Sequence, residues 1–372
     1  MESKNFLFKT TPSNGRKALL FLGLGILFTI VATFYTKQDV ERELDKNFKL
    51  VCNDITSKTE ARLHSHAQLL RTGSALFAAT DSVTRDEWRG FCERARINKN
   101  LPGIQGLGFS LIIPKDGISK HIDDIRKQGF ATYNVRPAGE REIYTTIIYL
   151  EPFAGRNLRA FGYDMFTESV RRKAMEVSRD SDFAMLSGKV ILVQETNEDV
   201  QAGTLMYVPV YRNGLLVNSV EERRAAIVGW VYSPYRMKDL MQGILGRWDN
   251  DKLERIHLQV YDNDSISDVA LLYDSQTLDR EKHEDAYSRS VLLPVEFNGK
   301  RWSFLFTQSS DQIPMFRSKV LIVLFGGLVI SLMLFLISLS LFNTRYRAQQ
   351  IAEHLTLELN AEKERVCGLR VD

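Results

Sequence analysis

The chain has 372 residues, a formal net charge of +3 and 44% hydrophobic residues. These averages are typical of an ordinary soluble protein, and they exclude a strongly basic chain of the kind that binds nucleic acid, so no nucleic-acid partner is predicted. The averages conceal two uncharged apolar segments, one near each end of the sequence.

The first apolar segment, residues 18–36, reads ALLFLGLGILFTIVATFYT, and the second, residues 320–342, reads VLIVLFGGLVISLMLFLISLSLF. A helix needs about 20 apolar residues to cross the hydrocarbon core of a bilayer. Both segments are therefore predicted to be transmembrane helices. A cleaved signal peptide is the alternative for the first segment, but its apolar run exceeds the usual 7–15 residues or so and is not followed by small residues, which favours an uncleaved anchor.

Positive charges set the predicted orientation in the membrane. Lys4, Lys9, Arg16 and Lys17 precede the first segment, and Arg345 and Arg347 follow the second. Lys and Arg accumulate on the cytoplasmic side, although Arg317 and Lys319 weaken the bias here. Residues 1–17 and 343–372 are thus predicted to be cytoplasmic, and residues 37–319 to lie outside the inner (cell) membrane, in the periplasm or extracellular space.

Residues 37–77 are predicted to form one long stalk helix, since apolar residues recur there at steps of three and four. This apolar stripe consists of Val40, Leu44, Phe48, Val51 and Ile55. Two interpretations stay open: the stripe pairs with a second copy in a parallel coiled coil, or it packs on its own domain. The first interpretation predicts a parallel homodimer.

Short helices and strands follow the stalk and indicate an α+β fold with two tandem α/β modules. A capping-box spacing from Thr84 to Glu87 predicts the start of a helix, and Asn298-Gly299 predicts a hairpin turn. The distal module is assigned to about residues 78–233 and the proximal module to about 234–315. Distal strands are predicted at 104–113, 143–150, 190–194, 203–211 and 225–232, and distal helices at 120–128 and 168–179. The proximal module is predicted to begin with a helix at 235–245. Proximal strands begin at Ile256 and end near Gln308.

After the second apolar segment, residues 345–364 are predicted to form an amphipathic helix with Ile351, Leu355 and Leu359 on one side. This repeat of the apolar spacing also favours a parallel dimer. The remaining residues are too few for another domain, so the segment is interpreted as a signalling-helix linker without an output domain.

Motifs for catalysis are not found, so the chain is not predicted to be an enzyme and no cofactor is expected. His64 and His66 are two residues apart on a helix and point in different directions, which argues against a metal site. A disulfide between Cys52 and Cys92 is left open. The leading hypothesis is a signal receptor; the alternatives are a structural or adhesive ectodomain and, less favoured, a periplasmic enzyme.

Residues 149–164, YLEPFAGRNLRAFGYD, have the composition of a small-ligand pocket wall, with apolar surface and a few directional polar groups. The alternative is a structural loop in which Arg156 and Asp164 pair to hold the turn. The pocket is predicted between the distal strands, in a site made of Tyr149, Glu151, Arg156, Asn157, Phe161, Tyr163, Asp164, Leu192 and Gln194.

Several motifs, in order, resemble the CHASE domain, the extracellular sensory domain of histidine kinases and nucleotide cyclases. They are RGF (89–91), LPGIQGLGF (101–109), YLEPF (149–153), RAFGYDMF (159–166), RRKAM (171–175), LSGKV (186–190) and YVPVY (207–211). The resemblance covers roughly residues 37–315, and flanking membrane spans are also the family arrangement.

The resemblance implies a stalk helix with two PAS-like modules and a small ligand in the distal one, adenine-like or another small organic molecule. Plant members bind adenine-type cytokinins through an aspartate in the loop that corresponds to residues 151–157. No aspartate stands there in this chain, although Asn157 offers both a donor and an acceptor. Asp164 matches a family aspartate after this loop. A downstream kinase or cyclase is the partner that the resemblance implies.

Overall fold

The structure, a computed structural model, describes residues 12–100, 102–246, 256–275, 287–309 and 314–368. Two compact units are distinguished: Phe48–Gln312, and the segments Met1–Asn47 and Ile313–Asp372 together. Lys4 and Lys9, used above to predict orientation, lie outside the described residues.

The unit Phe48–Gln312 is built on two antiparallel sheets. Its strands are β1 (Leu107–Pro114), β2 (Ile143–Glu151), β3 (Met185–Leu186), β4 (Gly203–Tyr211), β5 (Ile227–Arg236), β6 (His257–Asp262), β7 (Leu271–Asp274), β8 (Tyr287–Phe297) and β9 (Lys300–Ser309). The five-stranded sheet has the order β2-β1-β5-β4-β3, and the four-stranded sheet has the order β7-β6-β9-β8. The predicted α+β class with antiparallel sheets is confirmed.

Helices precede, connect and follow these strands. They are α1 (Pro12–Ala78), α2 (Arg85–Ala95), α3 (Ile97–Asn100), α4 (Ile118–Lys127), α5 (Ser169–Ser181), α6 (Val220–Ala226), α7 (Met237–Leu245) and α8 (Pro314–Gly368), with 3-10 turns at Lys115–Gly117, Gly155–Ala160 and Met165–Thr167. Thr84 and Glu87 form the predicted capping box at the start of α2. At the β8–β9 turn Asn298 and Gly299 both have positive φ, at 48° and 70°, as a two-residue hairpin requires.

One predicted strand, 190–194, is wrong. Only an isolated bridge between Val190 and Gly203 forms there, and the short strand β3 lies earlier in the chain. Leu192 and Gln194 are nevertheless buried, at 2% and 3% exposure. Ile191, in contrast, is 58% exposed, so this loop alternates buried and exposed side chains as a half-buried strand does, and the sequence pattern does not separate the two.

The strand predicted at 225–232 ends too early, because β5 continues through Pro234 to Arg236. Proline lacks a backbone N–H and normally interrupts a central strand. Here the pairing of β5 with β1 covers Gly229 to Tyr232 only, so Pro234 lies beyond that ladder while still facing Leu205 of β4. Pro234 O accepts a hydrogen bond from Gln105 N at 3.2 Å.

Successive residues of the five-stranded sheet enter two different cores. Phe109, Ile148 and Val231 pack with α1 and α2 on what we call the α1 face. Tyr207, Trp230 and Tyr232 pack with Ala174 and Met175 of α5 on what we call the α5 face. This alternation follows from the two-residue period of a strand, and it fixes which side chains can meet.

The stalk stripe is largely used within the chain. Phe48 and Ile55 are 4% and 1% exposed and belong to the core, and Val51 packs against it. These contacts are those of the second interpretation, in which the stripe packs on its own domain. Cys52 and Cys92 are both free and buried, so the disulfide left open above is absent.

By length and composition, α1 and α8 are both long and apolar enough to cross a membrane. The candidate spans lie within Gly15–Ala78 and Ser318–Lys363. Small residues lie where the two helices touch. Thr29 and Ser331 are buried, and their hydroxyl oxygens lie 3.4 Å apart. A Cβ added at Gly25 or Gly327 would come within 3 Å of the opposite helix. Close approach through small residues four apart is characteristic of membrane helix pairs.

Candidate functional site

The nine residues predicted as a ligand site do not lie together. Tyr149 packs against the α1 face, while Tyr163 and Leu192 belong to the core of the α5 face. A bulge between Phe109 and Ser110 shifts the register of β1 on β2, pairing Phe109 with Tyr149 and Ser110 with Ile147. The extra residue directs both Ile148 and Tyr149 to the α1 face, so Tyr149 and Tyr163 cannot line one pocket.

Tyr149 and Glu151 have structural partners near α2. The Tyr149 hydroxyl donates to Val83 O at 2.7 Å. Glu151 accepts from Phe153 N at 3.0 Å, and its second oxygen lies 3.4 Å from Arg89 Nε. Glu151 also lines a small open cavity of about 240 Å³, whose other lining residues are Cys92, Glu93, Arg96, Ile97, Lys99 and Pro152.

Asn157 and Asp164 hold loops in place. Asn157 Nδ2 donates to Gln105 O at 3.1 Å and to Pro152 O at 3.0 Å, and Gln105 Nε2 donates to Asn157 Oδ1 at 3.4 Å. One oxygen of the fully buried Asp164 accepts from Thr145 N at 2.9 Å and from Thr145 Oγ1 at 2.8 Å. The polar atoms of Asn157 are thus occupied by the protein itself.

The predicted Arg156–Asp164 pair does not appear among the ion pairs of the described residues. Arg156 Nη1 instead lies 4.0 Å from Glu195 Oε2, and Asp164 Oδ2 lies 3.5 Å from Arg141 Nη1. Glu195 is held by Arg236 Nε at 2.6 Å.

Phe161 belongs to an aromatic cluster near the start of α2. Its ring centroid lies 4.7 Å from that of Tyr133 and 5.1 Å from that of Phe130. The Arg85 guanidinium carbon lies 4.5 Å from the Phe130 centroid and 5.1 Å from the Phe161 centroid. Burial lowers the pKa of Arg85, and the ring faces supply the attraction that keeps the cation there.

The α5 face carries a set of polar groups that the sequence prediction included only in part. Arg171 is 3% exposed; its Nη1 donates to the Tyr163 hydroxyl at 2.9 Å and its Nη2 to Ile191 O at 2.9 Å. Among the residues that the structure describes, no carboxylate oxygen lies within 4.0 Å of this guanidinium. A buried charge without a counter-ion is costly, which makes the position unusual for a purely structural residue.

Two tyrosine hydroxyls complete this set. Tyr207 and Tyr232 face each other in register across β4 and β5, and their ring centroids lie 6.2 Å apart. Both side chains are fully buried, and neither hydroxyl has a hydrogen-bond partner within the described part of the chain. Burial raises the pKa of both phenols strongly, while the positive charge of Arg171 acts in the opposite direction.

We call Tyr163, Arg171, Tyr207 and Tyr232 the donor cluster. Its guanidinium and its phenolic hydroxyls can all donate, and burial, which raises the pKa of Tyr207 and Tyr232, keeps those two phenols protonated at neutral pH. Buried polar groups in native proteins are nearly always paired. The arrangement therefore suits a ligand, or bound water, that presents hydrogen-bond acceptors.

Leu192 belongs to the apolar core that surrounds the donor cluster. It packs closely on Gly203, where an added Cβ would lie 2.6 Å from Leu192 Cγ. Gln194 is buried at 3% exposure, and its side chain makes no hydrogen bond to another described residue. Tyr163 and Leu192 are thus the predicted site residues that the fold brings together. Strand alternation around Tyr207 and Tyr232 could have revealed the two phenols from the sequence.

No group of three or more His, Cys, Asp or Glu side chains that could hold a metal ion occurs in the described ranges. The chemistry of the cluster is therefore that of hydrogen bonding and charge.

The region that contains the donor cluster matches a known family of protein domains. The model of the CHASE domain matches residues 81–273, just over half of the chain. The chain belongs to the CHASE domain family. The match includes the whole five-stranded sheet, α5 and all nine residues of the predicted site, and it confirms the resemblance seen in the sequence motifs.

This chain is similar to hybrid signal transduction histidine kinase A of Dictyostelium discoideum, with 22% identity over 276 residues. The aligned part covers 70% of this chain but 13% of the relative. The likeness is thus to one portion of a much longer signalling protein. CHASE is a sensory domain, so the chain is a sensor module, and no catalytic domain is seen in the described residues.

Proposed function

We propose that this protein is an extracytoplasmic small-ligand sensor, the CHASE-type input module of a signal-transduction receptor. The observation that carries the proposal is the donor cluster, in which, among the described residues, the buried guanidinium has no counter-ion and two buried phenols have no hydrogen-bond partner. Such a cluster costs folding free energy when empty and recovers it when a ligand supplies acceptors. A structural or adhesive ectodomain has no need of this arrangement.

The proposed ligand is a small organic molecule with an apolar body and hydrogen-bond acceptors. Leu192, Trp230 and Met175 supply apolar surroundings, and the cluster supplies donors at one end. Adenine-like compounds satisfy this description because their ring nitrogens accept hydrogen bonds, and small carboxylates satisfy it because their oxygens do. Family membership supports a ligand in the five-stranded module, and we propose that both sheets belong to PAS-like modules.

The proposed relay runs through the two apolar helices, which flank the CHASE match and would cross the inner membrane with residues 37–319 outside. A kinase or cyclase is the proposed downstream partner, supported by the likeness to a histidine kinase. Ile351, Leu355 and Leu359 on α8 are 62%, 52% and 62% exposed, which leaves an apolar face available for a parallel homodimer.

A ligand screen tests the sensor proposal. The full chain in lipid nanodiscs would be screened by thermal unfolding against small organic acids, purines and their neutral analogues. Compounds that raise the melting temperature of the wild type should lose that effect in a Tyr207→Phe/Tyr232→Phe variant. The matched control is Tyr211→Phe, whose hydroxyl donates to Arg179 O and lies outside the cluster. Equal stabilisation of wild type and double variant would contradict the site.

Cysteine labelling tests the topology separately. A membrane-impermeant maleimide should label a cysteine placed at Asn263 and leave one placed at Gln349 unlabelled in intact cells. Labelling of both positions, or of Gln349→Cys alone, would contradict the two-span arrangement.

A further inference from the structure

A groove of about 630 Å³ lies between α5 and the four-stranded sheet, away from the donor cluster. One wall is the outer face of α5, and the other is formed by the end of β6 and the β8–β9 turn. The lining residues are Ser169, Val170, Lys173, Ala174, Val177, Met185, Leu186, Gly188, Lys189, Asp262, Asn263, Gly299, Lys300 and Arg301. This volume lies within the range of small-molecule sites, about 300–1,000 Å³.

The charge of the groove is unbalanced. Four lining residues are basic, and Asp262 is the single acidic residue among those that line it. Asp262 is already used: it accepts from Lys189 N at 2.9 Å and from Lys300 Nζ at 3.3 Å. Lys173, in contrast, makes no ion pair with any described residue. Arg301 also pairs with carboxylates outside the lining, because its Nη1 lies 3.2 Å from Asp264 Oδ2 and its Nε lies 3.7 Å from Glu296 Oε1. The excess of positive charge in the groove therefore comes from Lys173 and Lys189, which have no carboxylate partner among the described residues.

The base of the groove is apolar and close-packed. Val170 and Ala174 of α5 face Met185 and Leu186, and Leu186 is 3% exposed. A Cβ added at Gly188 would lie 2.9 Å from Asp262 Oδ2, 3.1 Å from Val170 Cγ1 and 3.2 Å from Lys300 Nζ, so the Lys300–Asp262 pair borders the apolar wall at this point. Lys300 is 21% exposed in its side chain, which reduces the screening of its charge by water.

We propose that this groove is a second ligand site, which takes a small organic anion with an apolar body, such as an aryl or alkyl carboxylate. The carboxylate would lie among Lys173, Lys300 and Arg301, and the apolar body would lie along Val170 and Met185. The groove shares no residue with the donor cluster, because α5 contributes Lys173 and Val177 to the groove, whereas Arg171, Met175 and Ser178 are buried against the five-stranded sheet. Val170 and Ala174 lie between the two, since both also pack in the core of the α5 face.

Binding of 4-phenylbutyrate to the full chain in nanodiscs, with empty nanodiscs subtracted, tests the proposal by calorimetry. We expect saturable binding that weakens about tenfold or more in Lys173→Glu/Arg301→Glu, and that weakens when salt rises from about 50 to about 500 mM. The neutral analogue 4-phenylbutan-1-ol should bind at least about tenfold more weakly than the acid, because it lacks the charge that the groove attracts.

Controls separate this site from other effects. Lys120→Glu on α4 matches the charge change of Lys173→Glu alone, at another exposed helical lysine, and should leave binding unchanged, and Lys173→Arg should retain it. Tyr207→Phe/Tyr232→Phe should retain the binding that Lys173→Glu/Arg301→Glu weakens, because neither tyrosine lines the groove. Absence of saturable binding, equal binding of the alcohol, or unchanged affinity in the folded double variant would each overturn the proposal.

Discussion

The helix pair and the sheet unit place their side chains in opposite ways. In the helix pair Phe28 and Ile322 are 75% and 70% exposed, while the hydroxyl-bearing Thr29 and Ser331 are buried. In the sheet unit Phe304 and Trp230 are fully buried, and most charged side chains reach the surface. One chain thus follows two packing rules, and the difference indicates two solvents: water around the sheets and, as proposed, lipid around the helices.

The comparison also explains which residues hold each unit together. Burial of large apolar side chains stabilises the sheet unit through the hydrophobic effect. That driving force is missing between helices in lipid, where close backbone approach and van der Waals packing take its place. The following changes test this contrast, from the largest expected effect to the smallest.

The same substitution should have different costs in the two units. Phe304→Ala removes a fully buried ring and is expected to lower the free energy of unfolding by about 3–5 kcal/mol. Phe28→Ala removes an exposed ring in the helix pair and should change it by less than about 0.5 kcal/mol. Denaturant unfolding of the full chain in nanodiscs measures both, and equal losses would contradict the contrast.

Acid should destabilise the sheet unit through His66. This ring is fully buried, stacks on Tyr235 at 5.4 Å between centroids, and has its pKa lowered to about 3, first by burial and then by the charge of Arg62. The unfolded chain takes up a proton near its ordinary pKa, about 6.5, whereas the folded chain does not, so stability is lost as pH falls from there towards 3.

Between about pH 6.5 and 4.5 this loss amounts to about 2–3 kcal/mol, and His66→Phe should remove it. Unfolding free energies at the two pH values measure the difference. His64→Phe is the matched control, since His64 is exposed on the same helix. His121, whose pKa burial lowers to about 4, contributes in every variant and cancels from the comparison. An unchanged pH slope in His66→Phe would exclude this origin of acid sensitivity.

The helix pair should depend on glycine at one position and not at its neighbour. An added Cβ at Gly327 would lie 2.5 Å from Thr29 Cγ2, whereas nothing lies within 4 Å of one at Gly326. Gly327→Leu is expected to weaken the pairing by about 1–2 kcal/mol, and Gly326→Leu to leave it intact. Disulfide formation between Thr29→Cys and Ser331→Cys measures the pairing; equal yields for both leucine variants would contradict the observed interface.

Loss of a hydroxyl should matter on one face of the five-stranded sheet and not on the other. Tyr149→Phe removes a hydrogen bond to Val83 O and should cost about 0.5–1.5 kcal/mol. Tyr207→Phe removes a hydroxyl without a described partner, so the ligand-free protein should be unchanged or stabilised by up to about 1 kcal/mol. A loss at Tyr207 as large as at Tyr149 would show that the hydroxyl is already paired.

The sequence predicted one member of the donor cluster, Tyr163, and its neighbour Leu192 as parts of a pocket, and the other predictions failed for definite causes. The motif order led to the CHASE family. Tyr149 was grouped with Tyr163 and Leu192 because it is close in sequence. The extra residue in β2 reverses the direction of Tyr149, and a single inserted residue is invisible to a two-residue pattern.

The sequence by itself determined the two apolar helices, the sheet strands with strong β-branched and aromatic content, the capping box and the Asn298-Gly299 turn. These features depend on neighbours within a few residues or on the mean hydropathy of a segment, which any chain reveals locally. Tertiary structure alone decided that Arg171 has no counter-ion within the described ranges, that the Tyr207 and Tyr232 hydroxyls lack described partners, and that four basic residues line one groove. Each of these facts concerns residues far apart in the chain, and no local pattern records whether distant charges meet or remain apart.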